Sequence, residues 1–338
     1  MKMIAAVAQT ATVMFDTPAT VAKAQALMQE AAGRGAQVLV FPEAFIGGYP
    51  KGADFHIFIG ARTPEGRQDF KKYYDAAVTL DGPEIAQLAQ AAGQHRLYVC
   101  VGIIERDGGT LYCTAVYLGP EGTVLGHHRK LMPTALERLV WGQGDGSTLQ
   151  AVDTPYGKLG AVICWENYMP ALRMAMYQQR VALYCAPTAD DRDSWISTMQ
   201  HIAMEGRCFV LSACQHLRRT QLPMDALHNR LPEAPDTVLM RGGSCIIGPL
   251  GQVLAGPVYG EDALLLAEID LGDIPRAQMD FDPVGHYARP DVFQLAVNTA
   301  QQQAVRAAPG CAPPPLGQRP HSLLGPARPR QAKWSNEA

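Results

Sequence analysis

The chain has 338 residues, 47% of them hydrophobic and 18% charged, enough to bury a large core without help from disulfides or metals. A formal net charge of -3 supplies no basic field for nucleic acid, and no segment approaches the roughly 20 continuous apolar residues of a membrane span. Small-molecule chemistry is the class that remains.

In chain order, Met3 to Gln9 reads as a buried strand rather than a leader, and Asp16 is placed to cap a helix from about Pro18 to Ala32. Gly33 and Gly35 end that helix, and AQVLVF forms a second strand closed by Pro42, with Glu43 at its carboxyl end. Gly47 to Ala77 reads as a surface loop with some helix. Pro83 to Gln94 is helical, with Ile85, Leu88, Ala89 and Ala92 on one face. Three strands follow, Leu97 to Ile104, Thr110 to Leu118 and Thr123 to His128, the last two joined by the turn GPEG. A hairpin across TPYG leads to the run Leu159 to Ile163, then Cys164, then a helix from Pro170 to Gln179. The strand VALYCAP, a helix from Trp195 to Arg207 and the strand CFVLSA come next, followed by a polar insertion from Arg218 to Thr237. GSCIIGPLGQVLAG repeats the hairpin signature, and Ala263 to Ile269 closes the strand count.

Crossovers mixed with hairpins predict an α/β architecture of mixed sheets layered with helices, and the turns GPEG and GPLG hint at two related halves. Beyond Asn298 the composition changes: seven of the 25 prolines lie between Pro309 and Pro329, among arginines. Residues 299–338 are expected to be a disordered basic tail.

Eight scattered cysteines, without CxxC or HExxH, suggest neither a disulfide framework nor a zinc site, and favour a reducing cytoplasm. Cys164 differs from the other seven by its place at a strand-to-helix corner, where the positive end of a helix is expected to lower a thiol pKa. Glu43 after VLVFP, Lys130 after TVLGHHR and Cys164 after GAVI occupy three strand ends. Carboxylate, ammonium and thiol are the parts needed for sulfur to attack an electrophilic carbon. His127 and His128 alternate across a strand, so at most one points inward, and structural roles are expected for both. His201 reads as a satisfied helix histidine.

The blocks FPEAFIGGYPKG, HRKLMPTALERLVWGQGDG and GAVICWENYMPALR resemble the three signature blocks of the nitrilases, the nitrile-hydrolysing branch of the carbon–nitrogen hydrolase superfamily. HIAMEGRCFVLSACQ, RGGSCIIGPLGQVLAGP and DFDPVGHYARPD extend the resemblance over about Lys2 to Asn298. It implies a four-layer α-β-β-α sandwich as the catalytic domain 1–298. By position, Glu43 is the implied general base, Lys130 the charge-stabilising residue, Cys164 the nucleophile and Glu137 the second active-site glutamate. Trp165 is expected to border the substrate. The implied reaction turns an organic nitrile into carboxylic acid and ammonia with no metal or organic cofactor. A cyanide-hydrolysing or amidase relative would use the same residues. The resemblance also implies a homodimer, or a larger spiral, with Asp54 to Tyr74 and Arg218 to Thr237 as insertions used in assembly.

Overall fold

The computed structural model describes residues 1–223 and 227–304, and the expected tail lies outside the described residues from 305 on. Residues Met1–Gln301 form one compact unit.

Its first sheet is built from β1 (Lys2–Gln9), β2 (Val38–Val40), β3 (Tyr98–Asp107), β4 (Thr110–Leu118), β5 (Val124–Arg129) and β13 (Ala263–Asp270), in the order β13-β1-β2-β3-β4-β5. The second sheet runs β10-β11-β9-β8-β7-β6, using β6 (Val152–Thr154), β7 (Gly157–Ala161), β8 (Val181–Thr188), β9 (Phe209–Cys214), β10 (His216–Arg218) and β11 (Val238–Ile247); β12 (Val253–Tyr259) also pairs with β11. The helices are α1 (Thr17–Gly33), α2 (Pro64–Ala76), α3 (Pro83–His95), α4 (Pro170–Gln178), α5 (Ser194–Gly206) and α6 (Asp273–Gln278). Among them, α2 condenses from the stretch read as loop with some helix. Thr63 caps it through the Gly66 N–H, and Tyr73 and Ala76 fix it to the core.

Strand alternation explains the layering, because successive side chains point to opposite faces. Ala6, Ala8, Leu39, Val99 and Val101 pack against Val21, Ala24 and Met28 of α1 and Ile85 and Leu88 of α3. Their neighbours Ala5, Val7, Val38, Val40 and Cys100 face inward and meet Leu159, Ala161, Leu183, Cys185 and Leu211 of the second sheet. On the far side, Tyr184, Ala186, Val210 and Ile247 are covered by Leu172 and Met176 of α4 and Met199 and Ile202 of α5. The result is an α-β-β-α sandwich.

The two halves are related. β1-β2-β3 and β7-β8-β9 are both parallel triplets with helical crossovers. The turn GPEG closes with Gly122 N–H to Gly119 O at 3.0 Å, and GPLG with Gly251 N–H to Gly248 O at 2.8 Å. Both ending glycines have positive φ, +74° and +82°, which a side chain would strain.

Six of the remaining cysteines, Cys100, Cys113, Cys185, Cys208, Cys214 and Cys245, are buried and unpaired, and Cys311 lies outside the described residues. Among the described residues no helix is long and apolar enough to cross a membrane.

Candidate active site

Three strand ends deliver three groups to one place between the sheets. β2 ends at Val40; Phe41 N–H still bonds Cys100 O at 2.8 Å, but Pro42 cannot continue the ladder, so Glu43 turns off the sheet with its carboxylate fully buried. β5 ends at Arg129, and the Lys130 N–H still bonds Cys113 O at 2.8 Å, which carries the lysine inward. Lys130 Nζ donates to Glu43 Oε1 at 2.7 Å and to Glu137 Oε2 at 2.8 Å. It also lies 5.4 Å from the centre of the Trp141 ring. Glu137 sits on a 3₁₀ turn, Ala135–Leu139, where the same Oε2 accepts the Thr134 N–H at 2.6 Å and Oε1 accepts the Tyr49 hydroxyl at 2.8 Å.

Cys164 follows β7 at φ +50°, in the left-handed region that costs a non-glycine residue of order 1–3 kcal/mol. Asn167 secures the corner, donating from Nδ2 to Val162 O at 2.9 Å and Cys164 O at 2.8 Å. Thr188 on β8 donates its hydroxyl to the Cys164 sulfur at 3.3 Å.

The electrostatics follow from burial. Burial raises the Glu43 carboxyl above its ordinary pKa; Lys130 opposes that shift, Glu137 adds to it, and a contact with the Cys164 thiol favours the charged form. Glu43 Oε2 is buried and accepts no hydrogen bond of ordinary length from the described residues, so it has a lone pair ready for a proton. Burial by itself would lower Lys130, but the charge of Glu43, then Cys164, Cys113 and Glu137, holds it well above the usual lysine value.

The expected lowering of the Cys164 pKa is overturned. Burial, then the charge of Glu43, push this thiol up, and Lys130 and Thr188 only partly offset them. Two features explain the correction. The corner runs first into a 3₁₀ turn, Cys164–Tyr168, and α4 begins only at Pro170, while Cys164 itself is 4% exposed beside a carboxylate. A resting thiolate is disfavoured, so an attack by this sulfur would need a base to take its proton.

Glu43, Lys130 and Glu137 are thus brought together, with Cys164 against the Glu43 carboxylate. Trp165 is turned elsewhere. It is 41% exposed, its indole N–H donates to Asp190 Oδ2 at 2.9 Å, and the Arg192 guanidinium lies over its ring at 4.8 Å. A cavity of about 670 Å³ opens beside Glu137, walled by Tyr49, Phe55, Ile57, Leu136 and Val140 among others, and Trp165 is not part of its wall. The two expected insertions both reach this cavity, through Asp54 and Arg230, and they meet where His56 and His228 stack with ring centres 4.0 Å apart and His228 Nδ1 lies 2.6 Å from Asp54 Oδ1. His201 is exposed on α5, 3.6 Å from Glu205, as a surface helix histidine.

Tyr49, Trp141, Tyr73 and Thr188 were not singled out by sequence reasoning. Trp141 donates to the Tyr73 hydroxyl at 3.2 Å, which donates to Gly48 O at 2.9 Å, forming the floor under Lys130. Tyr49 and Trp141 do fall inside the blocks around Glu43 and Lys130, and that proximity was the available signal.

The family described as carbon-nitrogen hydrolase matches residues 4–278. An aliphatic nitrilase of Sinorhizobium fredii is 62% identical over 90% of this chain and 98% of its own length. Nitrilase 2 of Arabidopsis thaliana is 53% identical over 89% and 90%, and a bifunctional nitrilase/nitrile hydratase of Lupinus angustifolius 55% over 87% and 85%. In fold, a carbon-nitrogen hydrolase from Helicobacter pylori superposes with a TM-score of 0.67 at 18% identity, covering 86% of this chain and 97% of its own. Sandwich, strand-end site and relatives agree: the chain belongs to the carbon–nitrogen hydrolase family and, within it, to the nitrilases.

Proposed function

We propose that the protein hydrolyses an organic nitrile to its carboxylic acid and ammonia, with Cys164 as nucleophile, Glu43 as general base, and Lys130 and Glu137 stabilising charge and relaying protons. The observation that carries this reading is the buried Glu43–Lys130–Glu137 network beside the only thiol among the described residues that stands at a strained strand end.

As Cys164 Sγ bonds to the nitrile carbon, Glu43 takes the thiol proton and passes it to nitrogen, leaving a thioimidate. Lys130 receives the charge that develops on nitrogen, together with a backbone N–H near Trp165. Water, deprotonated by Glu43, adds to the carbon. The tetrahedral species expels ammonia to form a thioester, and a second water releases the acid and restores the thiol. None of these steps draws on a metal or organic cofactor.

The apolar cavity beside Glu137 supports a hydrophobic substrate chain, and the aliphatic nitrilase relative favours aliphatic nitriles. The buried, unpaired cysteines support a cytoplasmic setting. Exposed Tyr287, Val292, Phe293 and Leu295 support self-association, with a second copy of the chain covering them. We assign residues 1–298 as the catalytic domain, with the Pro-rich remainder dispensable for chemistry.

The deciding experiment measures ammonia and carboxylate release from aliphatic, aromatic and arylaliphatic nitriles, their amides and cyanide, with Cys164→Ala as control. Acid from organic nitriles, absent in the variant, supports the reading. Turnover of amides alone, or of cyanide alone, replaces it by the amidase or the cyanide-hydrolysing alternative.

A further inference from the structure

Glu166 lies two residues after Cys164, and its side chain is completely buried. Each of its oxygens holds a different catalytic loop. Oε2 accepts the N–H of Ile163, the residue before the nucleophile, at 2.8 Å. Oε1 accepts the N–H of Leu131, the residue after Lys130, at 2.5 Å. A third donor comes from the strand that carries Lys130: His128 Nε2 lies 3.1 Å from Oε2 and 3.3 Å from Oε1. A carboxylate only accepts, so Nε2 carries the hydrogen. His128 Nδ1, also buried, has no hydrogen-bond partner among the described residues, so the imidazole directs its single bond at Glu166.

We propose that His128 and Glu166 are positioning residues that set the spacing between the Lys130 ammonium and the Cys164 sulfur, and thereby the ratio of acid to amide released. The proposal rests on the nitrilase reading above. The tetrahedral species carries carbon bonded to hydroxyl, amino and sulfur, and it has two exits. If the C–N bond breaks, nitrogen leaves as ammonia with an added proton, the hydroxyl loses one, and the thioester remains. If the C–S bond breaks, sulfur takes the hydroxyl proton back as thiol and the amide leaves.

Which exit wins depends on which leaving atom is better served with a proton and with charge stabilisation. Lys130 sits on the loop that Leu131 anchors, and the sulfur on the loop that Ile163 anchors. Glu166 is hydrogen-bonded to both, so it transmits the register of one loop to the other. The left-handed turn at Cys164 makes that register strained, and such a turn persists only where its surroundings over-determine it. The relatives include bifunctional nitrilase/nitrile hydratases, so both exits are described by name for close homologues.

The test compares His128→Leu, which removes the donor while keeping an apolar volume, with His128→Gln, which keeps a side-chain N–H. Amide and acid are measured from one nitrile in the same reaction. The ratio comes only from molecules that turn over, so loss of folded protein does not move it. The expected result is an amide-to-acid ratio changed on the order of tenfold in His128→Leu and restored to within about twofold in His128→Gln. An unchanged ratio in His128→Leu overturns the proposal.

A second readout needs no nitrile: the rate at which iodoacetamide alkylates Cys164, followed on the Cys164 peptide by mass spectrometry. The leucine variant is expected to depart from wild type by about tenfold and the glutamine variant to stay close to it. Equal rates in all three proteins sink the clamp. Altered rates in a protein whose wild type turns over no nitrile support the clamp and remove the nitrilase reading.

Discussion

The corners after β2 and after β7 are built alike and held differently. Each follows an inner parallel strand and turns through one non-glycine residue in the left-handed region, Ala44 at φ +49° and Cys164 at φ +50°. At the first corner the proposed base, Glu43, precedes the strained residue; at the second, the strained residue is itself the proposed nucleophile. The first corner is fixed largely by backbone, with one side-chain bond, from Gln215 Nε2 to Glu43 O at 3.1 Å. Gly102 on β3 lies so close that a Cβ there would overlap Pro42 O and stand 2.7 Å from Ala44 N. The second is fixed by side chains, namely Asn167, Glu166 and Thr188. Glu43, the proposed base, is therefore bolted to the sheet, whereas Cys164, the proposed nucleophile, hangs in a polar cradle that single substitutions can retune.

The largest contrast between the corners is chemical. Cys164→Ala is expected to lower kcat with a nitrile below detection, on the order of 10⁴-fold or more, because no covalent intermediate can form. Glu43→Gln loses roughly 10²–10⁴-fold, retaining the thiol without its base. If burst kinetics show full-rate acylation in Glu43→Gln, the assignment of the base fails.

Next in size is backbone tolerance. Gly102→Ala is expected to destabilise by on the order of 3 kcal/mol, since rigid backbone surrounds it. Gly160→Ala on β7 should cost clearly less, because the nearest atom to its new Cβ is the mobile Met176 Cε at 2.5 Å. Urea midpoints for the two variants decide the matter, and equal losses would erase the distinction between a bolted and a cradled corner.

A smaller effect concerns pH. Glu43 must be ionised to accept the thiol proton, and burial raises its pKa, so kcat/KM should fall as pH drops through that raised value. Lys130 is held well above the usual lysine range, so it places no alkaline limb near neutrality. A rate that stays flat down to pH 4 would contradict this.

The smallest is a stability effect away from the site. Burial would raise the Glu205 carboxyl, but hydrogen bonds from Arg173 and Tyr177 and the Arg173 charge outweigh it and hold its pKa below the ordinary value. Its folded form therefore binds the proton less readily than its unfolded form. That stabilisation is present above the unfolded pKa and is lost as pH falls through the folded one. Glu205→Gln should flatten the acid side of a Tm-versus-pH curve, with little change in nitrile turnover.

Much of this was readable in the residues. Glu43, Lys130 and Cys164 each stand within two residues of the end of a strand that the sequence pattern marks, a placement visible without tertiary information. The Asp16 cap was equally local, and its carboxylate does accept the Ala19 N–H at 2.9 Å. What stayed hidden depends on partners far along the chain. The pKa direction of Cys164 turns on burial and on a carboxylate 121 positions away in sequence, and no local pattern encodes either. His128 was read as structural because alternation tells only that one of two histidines points inward, not that Glu166 waits there. Tyr49 and Trp141 were passed over for the same reason.

The pairing of β1 with β13 has a consequence for how the protein comes into being. Lys2 aligns with Asp270 and Gln9 with Ala263, so β1 finds its antiparallel neighbour only after the intervening residues 10–262 have been synthesised. At roughly 5–20 residues per second, β1 waits on the order of tens of seconds with one edge unprotected. Pairings this distant in sequence make folding slow and leave edges open to association in the meantime. A nascent chain released before residue 263 would expose that edge permanently. Its demand for chaperones should therefore drop sharply once β13 has cleared the ribosome.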